Sequence, residues 1–268
     1  GEMSFSRYAI ARERGEASMV GVPHFLMRAF RHRCIITRED SPLTSLDQLA
    51  GKRIGLTGWQ DSGNTWTRAL LRRAAVGIED ARWFVGRLTE DHPVEEDRLG
   101  TFAREGRISA MPEDRPLVGL LEQGSLDAVF TAFMPRGFFQ PGLGLRQLLP
   151  GFRAEEIAYF KQVGYVPGIH VLGLKPELAR RHPWLAQALS GLLDESARVW
   201  QEKREKYADT TPWLIDELRQ TAQDLPATWN RNGYEANEPM IDSFAEELHA
   251  QGLTARRLSA AELFPEAR

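Results

Sequence analysis

The chain has 268 residues, of which 42% are hydrophobic and 26% charged, a composition typical of a globular protein that excludes a disordered or collagen-like chain. At roughly 100–200 residues per domain, this length predicts one large domain or two smaller ones. The 34 basic residues against 37 acidic ones give a net charge of −3, so no overall positive field favours nucleic acid or an anionic membrane. No apolar run reaches the roughly 20 residues of a membrane-spanning helix. The single cysteine, Cys34, excludes an internal disulfide and leaves the compartment open.

Two segments share one pattern, in which a short helix ends at a glycine and a buried strand follows. The first covers residues 45–56 and the second residues 117–130. Alternation of helix and buried strand predicts a parallel sheet. Between the two segments, the sequence predicts a helix at 65–75, a strand at 81–85 and a charged stretch without clear periodicity at 89–107.

Prolines and glycines are dense in residues 132–151, so this segment is predicted to contain no regular element. The elements predicted after it are a helix at 154–162, an apolar strand at 168–174, a long amphipathic helix opened by Pro183, and helices at 212–223 and 238–251.

The segment 58–66 follows a predicted strand and opens the next helix. A helix N-terminus presents unpaired backbone N–H groups and a partial positive charge, so it binds a carboxylate well. Ser62, Asn64 and Thr65 are therefore candidate ligand donors, although the same residue types also serve as ordinary helix caps. Trp66 can stack on an aromatic ligand, and core packing is an equal alternative for it.

A cationic cluster precedes the predicted strand at 34–36 and contains Arg28, Arg31, His32 and Arg33. Arginine binds carboxylates through two parallel hydrogen bonds, so Arg28 and Arg31 are candidates for holding a dicarboxylate ligand. The alternative for any single member is a solvated surface position. Arg136, near the proline-rich segment, is a weaker candidate of the same kind.

Two histidines, His32 and His170, are predicted to lie at the starts of apolar strands. Such a histidine either faces a site or is a core residue with a satisfied partner. His24 follows a proline and is predicted to be structural, in a loop. Glu2 or Asp61 together with two histidines would make only a weak metal-binding pattern, and no metal site or cofactor is predicted.

Several segments together carry a family resemblance. Residues 43–55 and 124–128 are similar to the hinge-and-entry segment and the exit strand of type II periplasmic-binding-protein folds. More specific similarities lie at 27–33, 168–171, 181–184, 233–237 and 252–258. This combination resembles the 4,5-dihydroxyphthalate decarboxylase family, a branch of that fold often labelled as solute-binding proteins of ABC transporters.

The resemblance implies an α/β protein of two lobes with a ligand cleft between them. Lobe 1 is expected to comprise residues 1–45 and 168–268, and lobe 2 residues 52–131, with 132–167 as a crossing segment and surface loop. Members of the family normally carry a strand–helix–strand unit before the segment similar to residues 2–8. That unit is expected to be missing here, which would leave an exposed sheet edge.

The resemblance also implies decarboxylation of a hydroxylated aromatic dicarboxylate without an organic cofactor. On this hypothesis His32 and His170 transfer protons, Arg28 and Arg31 hold the carboxylate, and Ser62 and Thr65 are neutral donors.

The small aromatic carboxylate would then be the partner, with neither nucleic acid nor membrane insertion, in the cytoplasm. The alternative is a non-catalytic solute-binding protein for a small organic anion, which would be exported and would deliver its ligand to a transporter permease.

Overall fold

A computed structural model describes residues 1–95 and 97–266 and shows an α/β protein with two separate sheets. Residue 96 of the charged stretch 89–107, and residues 267–268 of the predicted lobe 1, lie outside the described residues. The strands are β1 (Glu2–Ser4), β2 (Val20–Arg28), β3 (Ile35–Arg38), β4 (Arg53–Leu56), β5 (Arg82–Val85), β6 (Ile108–Ala110), β7 (Ala128–Phe130), β8 (Leu145–Gln147) and β9 (Gly168–Leu174). The helices are α1 (Phe5–Arg14), α2 (Ser62–Arg73), α3 (Leu117–Glu122), α4 (Phe152–Val163), α5 (Pro176–Arg181), α6 (Leu185–Lys206), α7 (Leu214–Asp224), α8 (Tyr234–Ala250) and α9 (Ala260–Leu263).

The contacts divide the chain into two units. Unit 1 comprises Gly1–Arg28, Tyr159–Ser243 and the residues from Leu258 onward, and unit 2 comprises Ala29–Ala158 and Phe244–Arg257. Among the described helices, none is long and apolar enough to cross a membrane.

Unit 1 contains an antiparallel sheet in the order β1-β9-β2. α1 begins after Ser4, whose hydroxyl accepts a hydrogen bond from the backbone of Arg7, and it ends at Gly15 with a φ of 73°. Only glycine adopts that conformation at little cost. β2 leaves its register with β9 between Val22 and Met27. Pro23 lies in this irregular stretch, because proline cannot donate a hydrogen bond to a neighbouring strand.

Unit 2 contains a six-stranded sheet in the order β6-β5-β4-β7-β3-β8. β4 pairs in parallel with β5 and β7, so that Ile54 lies opposite Trp83 and Ala128, and β6 extends this parallel part. The prediction of a parallel sheet is therefore confirmed for four strands. β3 is antiparallel to both its neighbours, β7 and β8, because a strand that enters the sheet from outside the helix–strand alternation is free to run in either direction.

The prediction that residues 132–151 contain no regular element was wrong. Three of these residues form β8, which pairs with β3 and places Arg146 opposite Thr37. Gly142 and Gly144 have φ values of 95° and 72° immediately before β8. The glycines thus make turns that deliver the chain to a sheet edge, and a strand of three residues leaves no periodicity for the sequence to show.

The two units differ from the predicted lobes in four ranges, one of which is residues 159–167, expected in the crossing segment and found in unit 1. Residues 29–45 belong to unit 2, because β3 pairs within its sheet. Residues 132–158 belong there as well, through β8 and through α4, whose Glu156 binds Arg33. Residues 244–257 belong to unit 2 as well, because Phe244 stacks on Trp66 of α2 with ring centroids 4.8 Å apart. The pairing of distant segments sets these boundaries, and local composition does not record it.

The helix predicted at 65–75 starts three residues earlier, at Ser62, and the helix predicted within 45–51 is a single 3-10 turn at Asp47–Leu49. The strand predicted at 168–174 has those bounds in the structure. The loop predicted for His24 was wrong, because this residue lies in β2, where the shift in register leaves strand-like backbone that does not follow the pairing pattern.

Candidate functional sites in the two units

A tight loop connects β4 to α2 in unit 2. The Asp61 carboxylate accepts hydrogen bonds from the Thr57 hydroxyl at 3.1 Å and from the Asn64 amide at 3.3 Å. The Asn64 amide also donates to the backbone oxygen of Gly58 at 2.9 Å. A Cβ atom at Gly58 would lie 2.6 Å from the Asp61 carboxylate, so only glycine fits there. These contacts fix the first turn of α2.

Arg31 packs against that first turn. Its side chain is 2% exposed, its Nη2 donates to the backbone oxygen of Thr131 at 2.9 Å, and its Nε donates to the Thr67 hydroxyl at 3.4 Å. A Cβ atom at Gly63 would lie 3.0 Å from the guanidinium carbon. Burial lowers the pKa of Arg31, while the nearby Asp61 carboxylate acts in the opposite direction.

The guanidinium therefore adjoins the positive end of α2, and the Asp61 carboxylate at the N-cap offsets part of the combined positive potential. Together the guanidinium and the helix end can bind a carboxylate.

The other residues predicted on α2 have partners inside the protein. The Thr65 hydroxyl donates to the backbone oxygen of Asp61 at 3.1 Å, and the Trp66 ring stacks on Phe244 at 4.8 Å. Both are buried, as are Ser62 and Asn64. The capping and core-packing alternatives account for Asn64, Thr65 and Trp66. A ligand-binding role for these three stays a prediction that gains no support from their contacts.

The cationic cluster is divided between the two units. Arg28 belongs to unit 1, where its Nη2 donates to the Asn237 side chain at 2.7 Å, and burial lowers its pKa to about 10. Arg33 belongs to unit 2 and binds the buried Glu156 carboxylate through two nitrogens, with Nε 2.9 Å from Oε1. Arg28 and Arg33 thus bind structural partners. Arg31 is the member of the cluster that lies against the α2 turn.

His32 lies in a one-turn 3-10 helix, His32–Cys34, just before β3, so its predicted position at the start of a strand was wrong. Its side chain is 5% exposed, and burial together with Arg33 and Arg73 lowers its pKa to about 4. The imidazole is therefore neutral at neutral pH and does not act as an imidazolium donor there. Arg136 is exposed in a turn of unit 2.

His170 lies in β9 of unit 1 and forms a carboxylate–imidazole pair. Its Nδ1 is 2.6 Å from Oε1 of Glu2 on β1. Ser4 is the register partner of His170, so Glu2, two residues away, projects from the same face of the sheet. Both side chains are partly exposed.

A carboxylate that accepts Nδ1–H fixes the tautomer and leaves Nε2 as the nitrogen that can exchange a proton with a substrate. Sequence reasoning missed this pairing, because 168 residues separate the partners and only strand register connects them.

A metal site does not emerge from the residues considered for one. Within residues 1–95 and 97–266, no group of three or more histidine, cysteine or acidic side chains is placed to hold an ion. Glu2 pairs with His170, whereas Asp61 binds Thr57 and Asn64.

Solved structures show the same fold. The periplasmic aliphatic sulphonate binding protein SsuA from Escherichia coli superposes with a TM-score of 0.58, at 15% identity, over 98% of this chain and 78% of that one. The alkanesulfonate-binding SsuA from Xanthomonas axonopodis pv. citri, bound to MOPS, gives the same TM-score and coverage at 14% identity. The chain therefore has a type II periplasmic-binding-protein-like fold, which confirms the predicted fold class.

Sequence relatives identify the branch. A 4,5-dihydroxyphthalate decarboxylase from Comamonas testosteroni is 30% identical over 267 residues, which cover 98% of this chain and 81% of the relative. A second, from Pseudomonas putida, is 34% identical over 140 residues, covering 52% of this chain and 54% of the relative. No protein-family model matches the sequence. The chain belongs to the 4,5-dihydroxyphthalate decarboxylase family, and the predicted resemblance is confirmed.

Proposed function

We propose that the protein is a carboxy-lyase that removes one carboxylate from a hydroxylated aromatic dicarboxylate of the 4,5-dihydroxyphthalate type. The observation that supports this most is the similarity, along 98% of the chain, to a relative that bears that name. The partner in this proposal is the small aromatic carboxylate, and a transporter permease has no part in it.

Arg31 and the first turn of α2, which begins at Ser62, bind the carboxylate that remains on the ring. The guanidinium is buried and fixed by Thr67 and Thr131, so little side-chain entropy is lost when an anion binds. Burial also weakens solvent screening, which strengthens the attraction between guanidinium and carboxylate. We leave Arg28 out of this role because Asn237 holds its guanidinium in unit 1, whereas the Arg31 guanidinium adjoins the first turn of α2.

His170 delivers the proton that replaces the lost carboxylate. Departure of CO2 leaves the bonding electron pair on the ring carbon, and that carbon must gain a proton. The ring hydroxyl para to the carboxylate releases electrons and assists protonation there. The imidazolium donates the proton and regains one from solvent, so one proton is consumed for each CO2 and dihydroxybenzoate formed. Glu2, 2.6 Å from Nδ1, stabilises the imidazolium.

His32 takes a different role from the one expected. Because its pKa is lowered to about 4, it is neutral while the reaction runs near neutral pH. It shares a turn with Arg31, whose backbone oxygen accepts a hydrogen bond from Cys34 at 3.0 Å. We therefore assign His32 to positioning Arg31 and not to proton transfer.

The test is incubation of the protein with 4,5-dihydroxyphthalate while CO2 and dihydroxybenzoate are measured. We expect turnover by the unchanged protein, a loss of about 10²–10⁴-fold in kcat for His170→Gln, and a raised KM for Arg31→Lys. His249→Gln is the matched control, because this histidine is exposed on α8, and it should leave both constants unchanged. Binding of the dicarboxylate without CO2 release by the unchanged protein would reject the decarboxylase and favour the solute-binding alternative.

A further inference from the structure

Unit 1 contains a cavity of about 400 Å³ that the proposed function does not use. It lies among the start of β2, the end of β9, α5 and the first half of α6. Val20, Val22, Leu174 and Ala186 contribute apolar surface to it, and its polar lining residues are His182, Gln187, Ser190, Tyr234 and Glu266. Its volume falls within the roughly 300–1,000 Å³ of small-molecule sites.

The charge of the cavity wall limits what can bind. Among the described residues that line it, Glu266 is the acidic member, and neither lysine nor arginine is present. An anion would meet a carboxylate with no cationic residue beside it, so the wall favours an uncharged molecule.

Asn232, His24 and Ser190 form a chain of hydrogen bonds. The orientation of the Asn232 amide decides which atom donates and which accepts in each bond. The backbone N–H of Phe25 donates to Oδ1 of Asn232 at 2.9 Å. On the other side, Nδ2 lies 3.0 Å from the Asp194 carboxylate and 3.3 Å from Nε2 of His24. A donor at the oxygen and a carboxylate at the nitrogen fix the orientation of the amide. Nδ2 therefore donates to His24, and Nε2 accepts.

The tautomer of His24 follows from this contact. Burial lowers the pKa of His24, so the ring is neutral and carries one hydrogen. Because Nε2 is the acceptor, that hydrogen is on Nδ1, which lies 2.7 Å from the Ser190 hydroxyl oxygen. The Asp194 carboxylate is 3.9 Å from Nδ1, too far for a hydrogen bond. His24 therefore donates to Ser190.

Ser190 consequently has a hydrogen to donate. Its oxygen already accepts from His24, and no second partner for the hydroxyl is seen among residues 1–95 and 97–266. Because His24 donates to this oxygen, it does not serve as a base that would make Ser190 a nucleophile. The hydroxyl is instead a donor on the wall of a cavity that combines apolar and polar side chains.

We propose that this cavity is a second ligand site, which binds a small uncharged molecule whose single hydrogen-bond acceptor, such as a carbonyl oxygen, accepts from Ser190. The site lies wholly within unit 1 and does not depend on the decarboxylase assignment. Its ligand class differs from the dicarboxylate, because recognition uses apolar contact and the neutral Ser190 hydroxyl in place of a guanidinium.

Two probes of nearly equal shape test the proposal by titration calorimetry or ligand-observed NMR. Acetophenone has a carbonyl acceptor and ethylbenzene has none. We expect saturable binding of acetophenone with an affinity about five- to tenfold higher than that of ethylbenzene, because one neutral hydrogen bond usually contributes a difference of about this size. Ser190→Ala should abolish this preference by weakening acetophenone alone. Ser196→Ala changes an exposed serine on the same helix and should preserve the preference.

Ala186→Leu places a larger side chain in the cavity and should weaken the binding of both probes. Such a loss would show that the probes bind in this cavity. Lack of saturable acetophenone binding, or equal affinity for the two probes, would overturn the proposal. Unchanged acetophenone affinity in Ser190→Ala would remove Ser190 from recognition, and unchanged affinity in Ala186→Leu would place the probes elsewhere. Benzoate that binds as tightly as acetophenone would contradict the preference for an uncharged ligand.

Discussion

Gln251 is predicted to stabilise unit 2 by satisfying a buried charge. Arg68 of α2 is 1% exposed, and its Nε donates to Oε1 of Gln251 at 2.7 Å. Its Nη2 donates to the backbone oxygen of Trp59 at 2.8 Å, and the guanidinium carbon lies 4.1 Å from the Trp59 ring centroid. Burial lowers the pKa of Arg68 to about 9, so it is still charged at neutral pH. Gln251→Leu would leave the Nε–H of this cation without an acceptor, in addition to Nη1, which already has none in the part of the chain that the structure describes.

The expected cost follows from the lost contacts. A buried donor that loses its acceptor costs about 1–3 kcal/mol, and more when it is charged, while loss of a partner to a buried ion costs about 3–5 kcal/mol. The substitution also removes the bond from Gln251 to the backbone oxygen of Thr65 at 3.0 Å. Leucine regains some apolar burial, so we expect a loss of about 2–4 kcal/mol in the free energy of unfolding.

A double mutant separates the buried charge from simple loss of packing. In Arg68→Met with Gln251→Leu, the cation and its acceptor are both replaced by apolar groups, and such replacements can be nearly neutral. The double variant should therefore be more stable than the sum of the two single changes predicts, by more than about 1 kcal/mol.

Urea unfolding followed by tryptophan fluorescence measures these free energies, because Trp59, Trp66 and Trp83 are all buried in unit 2. Gln220→Leu, on the exposed part of α7, is the control. A Gln251→Leu variant within about 0.5 kcal/mol of the unchanged protein, or purely additive single changes, would refute the reasoning.

Three further predictions concern titration and reactivity. The pKa of His32 is about 4 in the folded protein and 6.5 in the unfolded chain. Below pH 6.5 the unfolded state therefore binds more protons, and the free energy of unfolding should fall by about 3 kcal/mol between pH 6.5 and pH 4. His32→Asn should flatten that slope in urea titrations, and an unchanged slope would contradict the assignment. Burial raises the pKa of the Cys34 thiol, so a disulfide reagent should label the native protein far more slowly than the urea-unfolded one, and equal rates would refute this. Glu2→Gln should lower kcat for dihydroxyphthalate, because it weakens the hydrogen bond that orients His170, whereas Glu16→Gln, on an exposed residue, should leave kcat unchanged.

The parts of the fold that follow local rules could be predicted from the sequence. The glycine-terminated turn before β4 and the glycine-terminated helix before β7 indicate the parallel part of the sheet, and the apolar run of β9 gives its bounds. The sequence also indicates an exposed helix N-terminus at the start of α2, because this helix follows a buried strand. What local rules do not contain is which distant segments meet. β8 and the 244–257 segment are fixed by β3 and by α2, respectively.

The candidate sites show the same limit. Arg31, Arg28 and Arg33 look equivalent in sequence, and their partners distinguish them. Asn237 binds Arg28 and Glu156 binds Arg33, whereas Thr67 and Thr131 hold Arg31 against the α2 turn. The Glu2–His170 pair depends on strand register, and the neutrality of His32 depends on burial. Residue type indicates which chemistry is possible, but the partner of each side chain decides which residue performs it.

The chain passes from one unit to the other at residues 28/29, 158/159, 243/244 and 257/258, and this interleaving limits how the protein can be dissected. A fragment of residues 29–158 includes the whole six-stranded sheet but lacks Phe244 and Gln251. In such a fragment the Trp66 ring would lose its stacking partner, and Arg68 would lose a hydrogen-bond acceptor. Such a fragment should be prone to aggregation. Attaching residues 244–257 to it through a flexible linker should recover a folded unit for study by itself.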